Sequence, residues 1–356
     1  DEMQDINELQ FEIIKLLLQE EQNIFAVGDD DQSIYEFRGS KPDIMLNFQK
    51  AFKNTAIVKL NINYRSLRQI ITAANCLINK NVHRFQKDCR CFLNQYGSIH
   101  YLQFENEAKQ AHYIIQKVKE TKKKIGILFR NKQDALILNQ MLEWQHIPYY
   151  SKEQINQSMS FSVIEDLLAY FKLAYNLNEE KCLRQLYKKP KGNLEALKHI
   201  SFFAGVNFIR KGIGYDSYLY NTYKGEPYLY ESAIELCEFF QKEVETLPKS
   251  FSVKDMIAHF DAFCIQNKYK VNSQEESNVH LYTFHGSKGL EFDEVFCINT
   301  NEGIVPSGYN ELGIEEERRM FYVAITRAKF SLYVCCIKNR GGKEYQPSRF
   351  INEMKY

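Results

Sequence analysis

Neither sign of charge prevails in this sequence: 46 lysines and arginines stand against 45 aspartates and glutamates, a formal net charge of +1 over 356 residues. A chain with no global basic field draws polyanions only through locally placed cations, so any nucleic-acid contact has to be a built groove. The nine cysteines have no framework spacing: Cys89 and Cys91 form a C-x-C, Cys335 and Cys336 are adjacent, and the others are scattered. This argues against a disulfide scaffold and for reduced thiols. A metal site from His83, Cys89 and Cys91 lacks the paired C-x-x-C that such sites use. No apolar run reaches membrane-spanning length and no secretory leader is read, so the expected compartment is the cytoplasm. Internal repeats and low-complexity tracts are missing too. So is a G-x-x-x-x-G-K-[ST] phosphate loop: "GSKG" at 286–289, "KGEPY" at 224–228 and "GGKEY" at 341–345 all fail the pattern.

What is present is a chain of mostly ordinary composition, with 44% hydrophobic and 26% charged residues, enough for two packed domains or three if one is small. Helical and strand patterns alternate at first. Helices are expected at 6–19, 42–52, 66–79, 107–121 and 132–145, and strands at 23–29, 55–63, 97–104 and 124–129, with "IPYYS" closing the stretch. Such alternation implies a mostly parallel sheet with helices on its faces. From about Ser160 four helical patterns follow one another, including 194–209, and strands return at 278–284, 294–299 and 331–337. The economical reading is an α/β domain interrupted by an all-helical insertion over 160–273. The basic run at 117–124 reads as a solvated helix end, and "YKKPKGN" at 187–193 as a solvated loop or a duplex contact.

Three stretches carry chemistry. In "NIFAVGDDDQSIYEFRGS" a strand would deliver Gly28 and Asp29 into a polar loop holding Gln32, two aromatics and Arg38. Gln32 suits the orienting of a water or the sensing of a terminal phosphate; an acidic turn over a packed Tyr and Phe fits equally well. "LNINYRS" puts Tyr64 and Arg65 just past a strand. "EEERRMFYVAITRAK" puts Arg318, Arg319 and Arg327 on one expected helix, with Arg318 pairing to Glu315 or Glu316 and Arg327 free to enter a cleft. A permanently charged planar fork of donors is suited to a phosphoryl group in transfer.

In order, "DEMQD", "GDDDQSIYEFRGS", "LNINYRS", "TFHGSKGLEFDEVF" and "EEERRMFYVAITRAK" resemble motifs II to VI of the UvrD/PcrA/Rep family of superfamily 1 DNA helicases. The resemblance implies two RecA-like P-loop NTPase domains sharing an ATP site: a remnant of the first over 1–64, the second over 65–159 and 274–356, and the helical insertion over 160–273. It implies that Asp1 is the Mg²⁺ carboxylate and Glu2 the base, the opening "DEMQD" being a motif cut from its preceding strand. Gln4 and Gln32 would couple the γ-phosphate to domain movement, Arg65 and Arg327 would reach that phosphate, Tyr64 would stack on adenine and Glu291 would bond the ribose. Arg38 would link the aromatic motif to the nucleotide. Tyr35 and Phe37 would stack on single-stranded DNA bases, with His285, Ser287 and Lys288 along the DNA path.

The expected activity is ATP-dependent, 3′ to 5′ DNA unwinding or translocation on single strands and single-strand/duplex junctions, with these residues alone inactive for want of a phosphate loop. Two other readings stand beside it: a piece of an AddA/RecB-like helicase-nuclease, and a truncated DNA-binding protein without ATPase activity.

Overall fold

The computed structural model describes residues 1–18, 23–93, 95–152, 157–224, 227–267, 276–308 and 311–355. The chain begins with α1 (Glu8–Leu18), then two short helices, α2 (Pro42–Leu46) and α3 (Phe48–Ala51), in place of the single helix expected there. Next come β1 (Ile62–Asn63), α4 (Arg68–Ile78), β2 (Arg90–Cys91), β3 (Ser98–Phe104), α5 (Glu107–Glu120), β4 (Ile125–Phe129), α6 (Leu136–Trp144) and β5 (Tyr150–Ser151). Six helices follow, α7 (Gln157–Ala174), α8 (Glu179–Gln185), α9 (Phe202–Asn207), α10 (Tyr215–Thr222), α11 (Pro227–Val244) and α12 (Val253–Asn267). The chain then returns through β6 (Val279–Thr283), β7 (Phe292–Cys297), α13 (Glu311–Ile325), β8 (Ala328–Ile337), the small hairpin β9 (Asn339–Arg340) and β10 (Lys343–Glu344), and α14 (Arg349–Glu353).

Six strands form one parallel sheet in the order β3-β8-β7-β4-β6-β5. Its centre reads directly from the sequence. All five residues of β4 are buried, and they alternate as the pleat demands: Ile125, Ile127 and Phe129 face a core shared with α5, α6 and the helical segment, and Leu128 faces the α4–α13–α14 side. Gly126 is required where it stands, because a Cβ there would meet the Phe292 ring at 2.4 Å. Between β5 and β6 the described residues 157–267 contain helices and no strand. They pack on aromatics, with Phe171 of α7 stacked on Phe202 of α9 at 4.0 Å and 7°. The helix expected over 194–209 is broken at His199–Ser201, where the Ser201 side chain accepts from the Ala204 backbone and starts α9 afresh.

Two expected strands are corrected. Residues 23–29 form no strand, and of 55–63 only β1 pairs, with β2. A strand exists only beside a partner backbone, and within the described residues none lies along these apolar runs. Phe25 is accordingly 90% exposed and Val58 79%.

One buried acid makes the fold pH-sensitive. Burial pushes the Glu107 carboxyl up to about 8 from an ordinary 4.5, against Arg340 beside it at 3.2 Å. A carboxyl raised in the folded state binds its proton more tightly there than when unfolded, so its stabilising share is complete below pH 4.5 and is lost as pH climbs through 8. Urea midpoints measured from pH 5 to 9 should therefore fall with pH, and Glu107→Gln should flatten that slope.

Candidate functional site

Because β6 and β7 run parallel on either side of β4, residues 284–291 must travel from the carboxyl end of one to the amino end of the other. The short turn His285–Ser287 lies near the start of this crossover and Glu291 at its finish. At the finish, Phe292 pairs with Ala328, the first residue of β8, which sets Glu291 and Arg327 side by side. The start of α4 is bonded to the same edge: Ser66 Oγ donates to the Ala328 carbonyl at 2.6 Å and the Leu67 amide to Lys329 at 3.0 Å. These bonds deliver Arg65.

The result is a corner in which two cations hold one acid and a third cation, Arg327, stands beside them. Arg65 Nε lies 3.1 Å from one Glu291 oxygen and Lys329 Nζ 2.5 Å from the other. The Lys329 hydrogen bond first, and Arg65 after it, hold the Glu291 carboxyl below its usual range. Arg327 is 2% exposed, and its Nε donates to the Val323 carbonyl at 2.9 Å. Desolvation, then the neighbouring Arg65, push its guanidinium down to about 10, so it remains charged at neutral pH. It stands just beyond α13, not on it, in a turn that aims Nη2 at Gln32 Oε1 across 3.5 Å. Arg318 is also corrected: it is bonded to Glu353 at 2.7 and 3.1 Å and to Asn81, while Arg319 takes Glu315.

Opposite this corner lies the first segment of the chain. The Met3 amide bonds Val27, Ser33 Oγ donates to the Gln4 carbonyl, and buried Gln4 accepts the Asp29 amide at 3.0 Å while donating to Glu2 at 2.5 Å. Asp1 is exposed, and its Oδ1 accepts the Glu2 amide. Lys288 bridges the two sides, with Nζ 2.5 Å from Asp5, 3.2 Å from Glu2 and 3.1 Å from the Gln32 carbonyl. Its ammonium is thus committed to the junction, and Ser287 Oγ to the Phe284 carbonyl.

A separate aromatic group lies at the other end of the crossover. Phe37 meets His285 edge-on at 5.5 Å and Tyr35 at 5.9 Å, and Arg38 lies over both Tyr35 and Phe37. Among the described contacts none takes Arg38 to Gln32, Arg65 or Arg327. The structure therefore brings Gln32, Arg65, Glu291 and Arg327 together, with Gln4 and Glu2 behind them, and gathers Tyr35, Phe37, Arg38 and His285 elsewhere.

Three features escaped the sequence reading. Lys329 completes the cation corner. Phe92 lies against Tyr64 with ring centres 4.6 Å apart, both rings being more than 60% exposed. The acidic run Asp29–Asp31 is paired with Arg84 and Lys87, two cations for three acids. It is the one group of three such ligands found within 4.8 Å among the described residues, and His83, Cys89 and Cys91 form none. None of the nine cysteines is in a disulfide. For the acidic run the signal was present: three consecutive carboxylates headed for burial need cations from elsewhere in the chain.

Comparison with known proteins follows this geometry. A family model described as the UvrD-like helicase C-terminal domain matches residues 58–202 and 222–339, and one described as the UvrD/REP helicase N-terminal domain matches 1–53. The chain is 28% identical to a putative ATP-dependent DNA helicase YjcD of Bacillus subtilis (strain 168), over 99% of this chain and 53% of the relative. It is 30% identical to the ATP-dependent DNA helicase Rep of Buchnera aphidicola subsp. Acyrthosiphon pisum (strain APS), over 99% and 65%. It is 31% identical to a probable DNA helicase II homologue of Mycoplasma capricolum subsp. capricolum (strain California kid), over 99% and 57%. The chain thus spans between half and two thirds of the length of these relatives.

Proposed function

The chain belongs to the UvrD-like helicase family, and from that premise we propose that it serves as the arginine-bearing lobe and adjoining switch segments of an ATP-dependent DNA helicase or translocase. The observation that supports this most is the convergence of Arg65, Glu291, Lys329 and Arg327 on a junction where Arg327 faces Gln32. Two guanidinium groups with different exposure, one of them buried, form an anion-binding wall for the terminal phosphate of ATP. Glu291 takes the ribose hydroxyls and Tyr64 the adenine face. Gln4 and Gln32 pass the state of the phosphate to the switch segments.

Magnesium fits the residues present. Mg²⁺ is bound through one or two carboxylates plus substrate phosphates, and Asp1 offers an exposed carboxylate at the opening of the "DEMQD" segment. Asp1 would hold the ion, which offsets phosphate charge when bound; Glu2 is the base beside it. In this reading Tyr35, Phe37 and His285 stack on single-stranded bases, with Arg38 packed against them. Stacking is sequence-tolerant, as a translocating motor requires. Lys288 carries changes along the crossover between the DNA end and the nucleotide end, and Ser287 holds the turn that shapes it. The direction of travel is 3′ to 5′ on single strands and junctions, and the setting is the cytoplasm; no described helix is long and apolar enough to cross a membrane.

The test is DNA-stimulated ATP turnover and strand displacement on 3′-tailed against 5′-tailed duplexes, in a protein that joins these residues to a phosphate-binding loop. Turnover that ignores DNA, or unwinding of 5′ tails alone, would sink the reading. Residues 1–356 by themselves, which contain no such loop, should be silent. In the joined protein Tyr64→Ala should raise the KM for ATP roughly tenfold with kcat little changed, the size of one lost stacking contact. An unchanged KM would remove Tyr64 from the adenine face.

A further inference from the structure

Gln32 does not set its own orientation. Its Nε2 donates to Asp29 Oδ2 at 2.7 Å, and the other Asp29 oxygen accepts the Asp31 amide at 3.2 Å and Lys87 Nζ at 2.6 Å. Lys87 comes from the stretch after α4 and also bonds Asp30, with Asp31 at 3.2 Å. The stretch is pinned along its length. Arg84 takes Asp31 through two nitrogens at 2.8 and 2.7 Å, and the Phe85 amide donates to Asp30 at 2.7 Å.

We propose that Lys87 is a positioning residue for Gln32, acting through the Asp29 carboxylate: it holds that carboxylate where it captures the Gln32 amide and leaves Oε1 facing Arg327. A carboxamide with one N–H engaged in this way keeps its second N–H, but the bond fixes where that N–H points and turns Oε1 toward Arg327, where it accepts from that guanidinium or from a water. Turning the amide over, so that Nε2 replaces Oε1 on the side of Arg327, requires Asp29 to release Nε2. The stretch following α4 thereby governs which face Gln32 shows to the site. This consequence for hydrolysis rests on the motor reading above; the placement of Gln32 does not.

The experiment reads the side chain directly. In the 356-residue chain labelled with ¹⁵N-glutamine, the Gln32 side-chain amide is assigned by its loss in Gln32→Leu. Asp29→Ala supplies the freed signal, because removing that carboxylate leaves two acids facing two cations and the fold should hold. Lys87→Met should shift the Gln32 amide to the Asp29→Ala position and speed its hydrogen exchange about tenfold or more, as for a lost bond to a charged group. Lys87→Arg should keep the wild-type signal. Where Lys87→Met alone does not fold, Lys87→Met with Asp30→Asn removes one buried negative charge together with the ammonium and carries the same expectation. A Gln32 amide that stays at its wild-type position and exchange rate in the folded Lys87 variant overturns the proposal. That outcome leaves the motor reading standing, and absent ATP turnover leaves the Gln32 result standing.

Discussion

In a protein that joins these residues to a phosphate-binding loop, and on the motor reading proposed above, Arg327→Ala should lower DNA-stimulated ATP turnover by about 10³-fold or more, the range in which a transition-state arginine acts in phosphoryl transfer. The expectation rests on how Arg327 is held. Its Nε bonds the Val323 carbonyl at 2.9 Å and Nη1 reaches the Leu290 carbonyl at 3.4 Å, so the fork is oriented before any phosphate arrives. A preset donor costs no reorganisation during the reaction. Burial keeps water from screening it, while the group stays charged because its shift stops at about 10. Arg327→Lys should fail almost as badly, since one ammonium cannot hold both carbonyls and still present a planar edge. Truncation leaves the Leu290 carbonyl short of this donor, at about 1–3 kcal/mol, while Val323 keeps Thr326 Oγ1 at 3.0 Å; that cost is less than the about 5–15 kcal/mol that keeps a domain folded. The loss should appear in kcat, with DNA affinity measured without nucleotide unchanged. A variant within tenfold of wild type would take Arg327 out of the site.

How much of this was legible in the sequence depended on whether a residue's partners lie close in the chain. The sheet's interior was readable because β4 and β8 are apolar runs whose burial is fixed by their own composition. The Arg65–Glu291–Arg327 corner was readable only through motif order, since residues 226 positions apart meet through strand register. Phe25 and Val58 misled because apolarity marks a surface seeking cover, and pattern alone does not say whether a partner strand lies beside it. Arg318 misled for the opposite reason: Glu315 and Glu316 were neighbours on the helix, but Glu353 reaches the same guanidinium from α14 with better geometry. Arg84 and Lys87 left no local mark, because their role exists only where the stretch after α4 folds back on Asp29–Asp31.

That fold-back carries the second large effect. Arg84→Met should destabilise the chain by about 3–5 kcal/mol, the cost of leaving a buried carboxylate without its partner. The Arg84 and Asp31 side chains are each 1% exposed, and the pair is bidentate. Neither water nor a side-chain rotation can replace the lost donors there. Lys87 remains, but it already serves Asp29 and Asp30 and lies 3.2 Å from Asp31, so it cannot compensate alone. Asp31→Asn should cost less, because Arg84 keeps Asn79 and the Lys87 carbonyl as acceptors and the buried charge imbalance shrinks. The urea midpoint should drop with the slope of the transition unchanged, which distinguishes a weakened native state from an altered unfolded one. A penalty under about 1 kcal/mol would place the pair among weak surface contacts and would mean that the stretch after α4 does not hold the acidic loop Asp29–Asp31. The two variants also separate stability from signalling. Loss of Arg84 strips one anchor from the whole acidic loop, whereas loss of Lys87 strips the link to Asp29, so only the second should act on Gln32 more than on global stability.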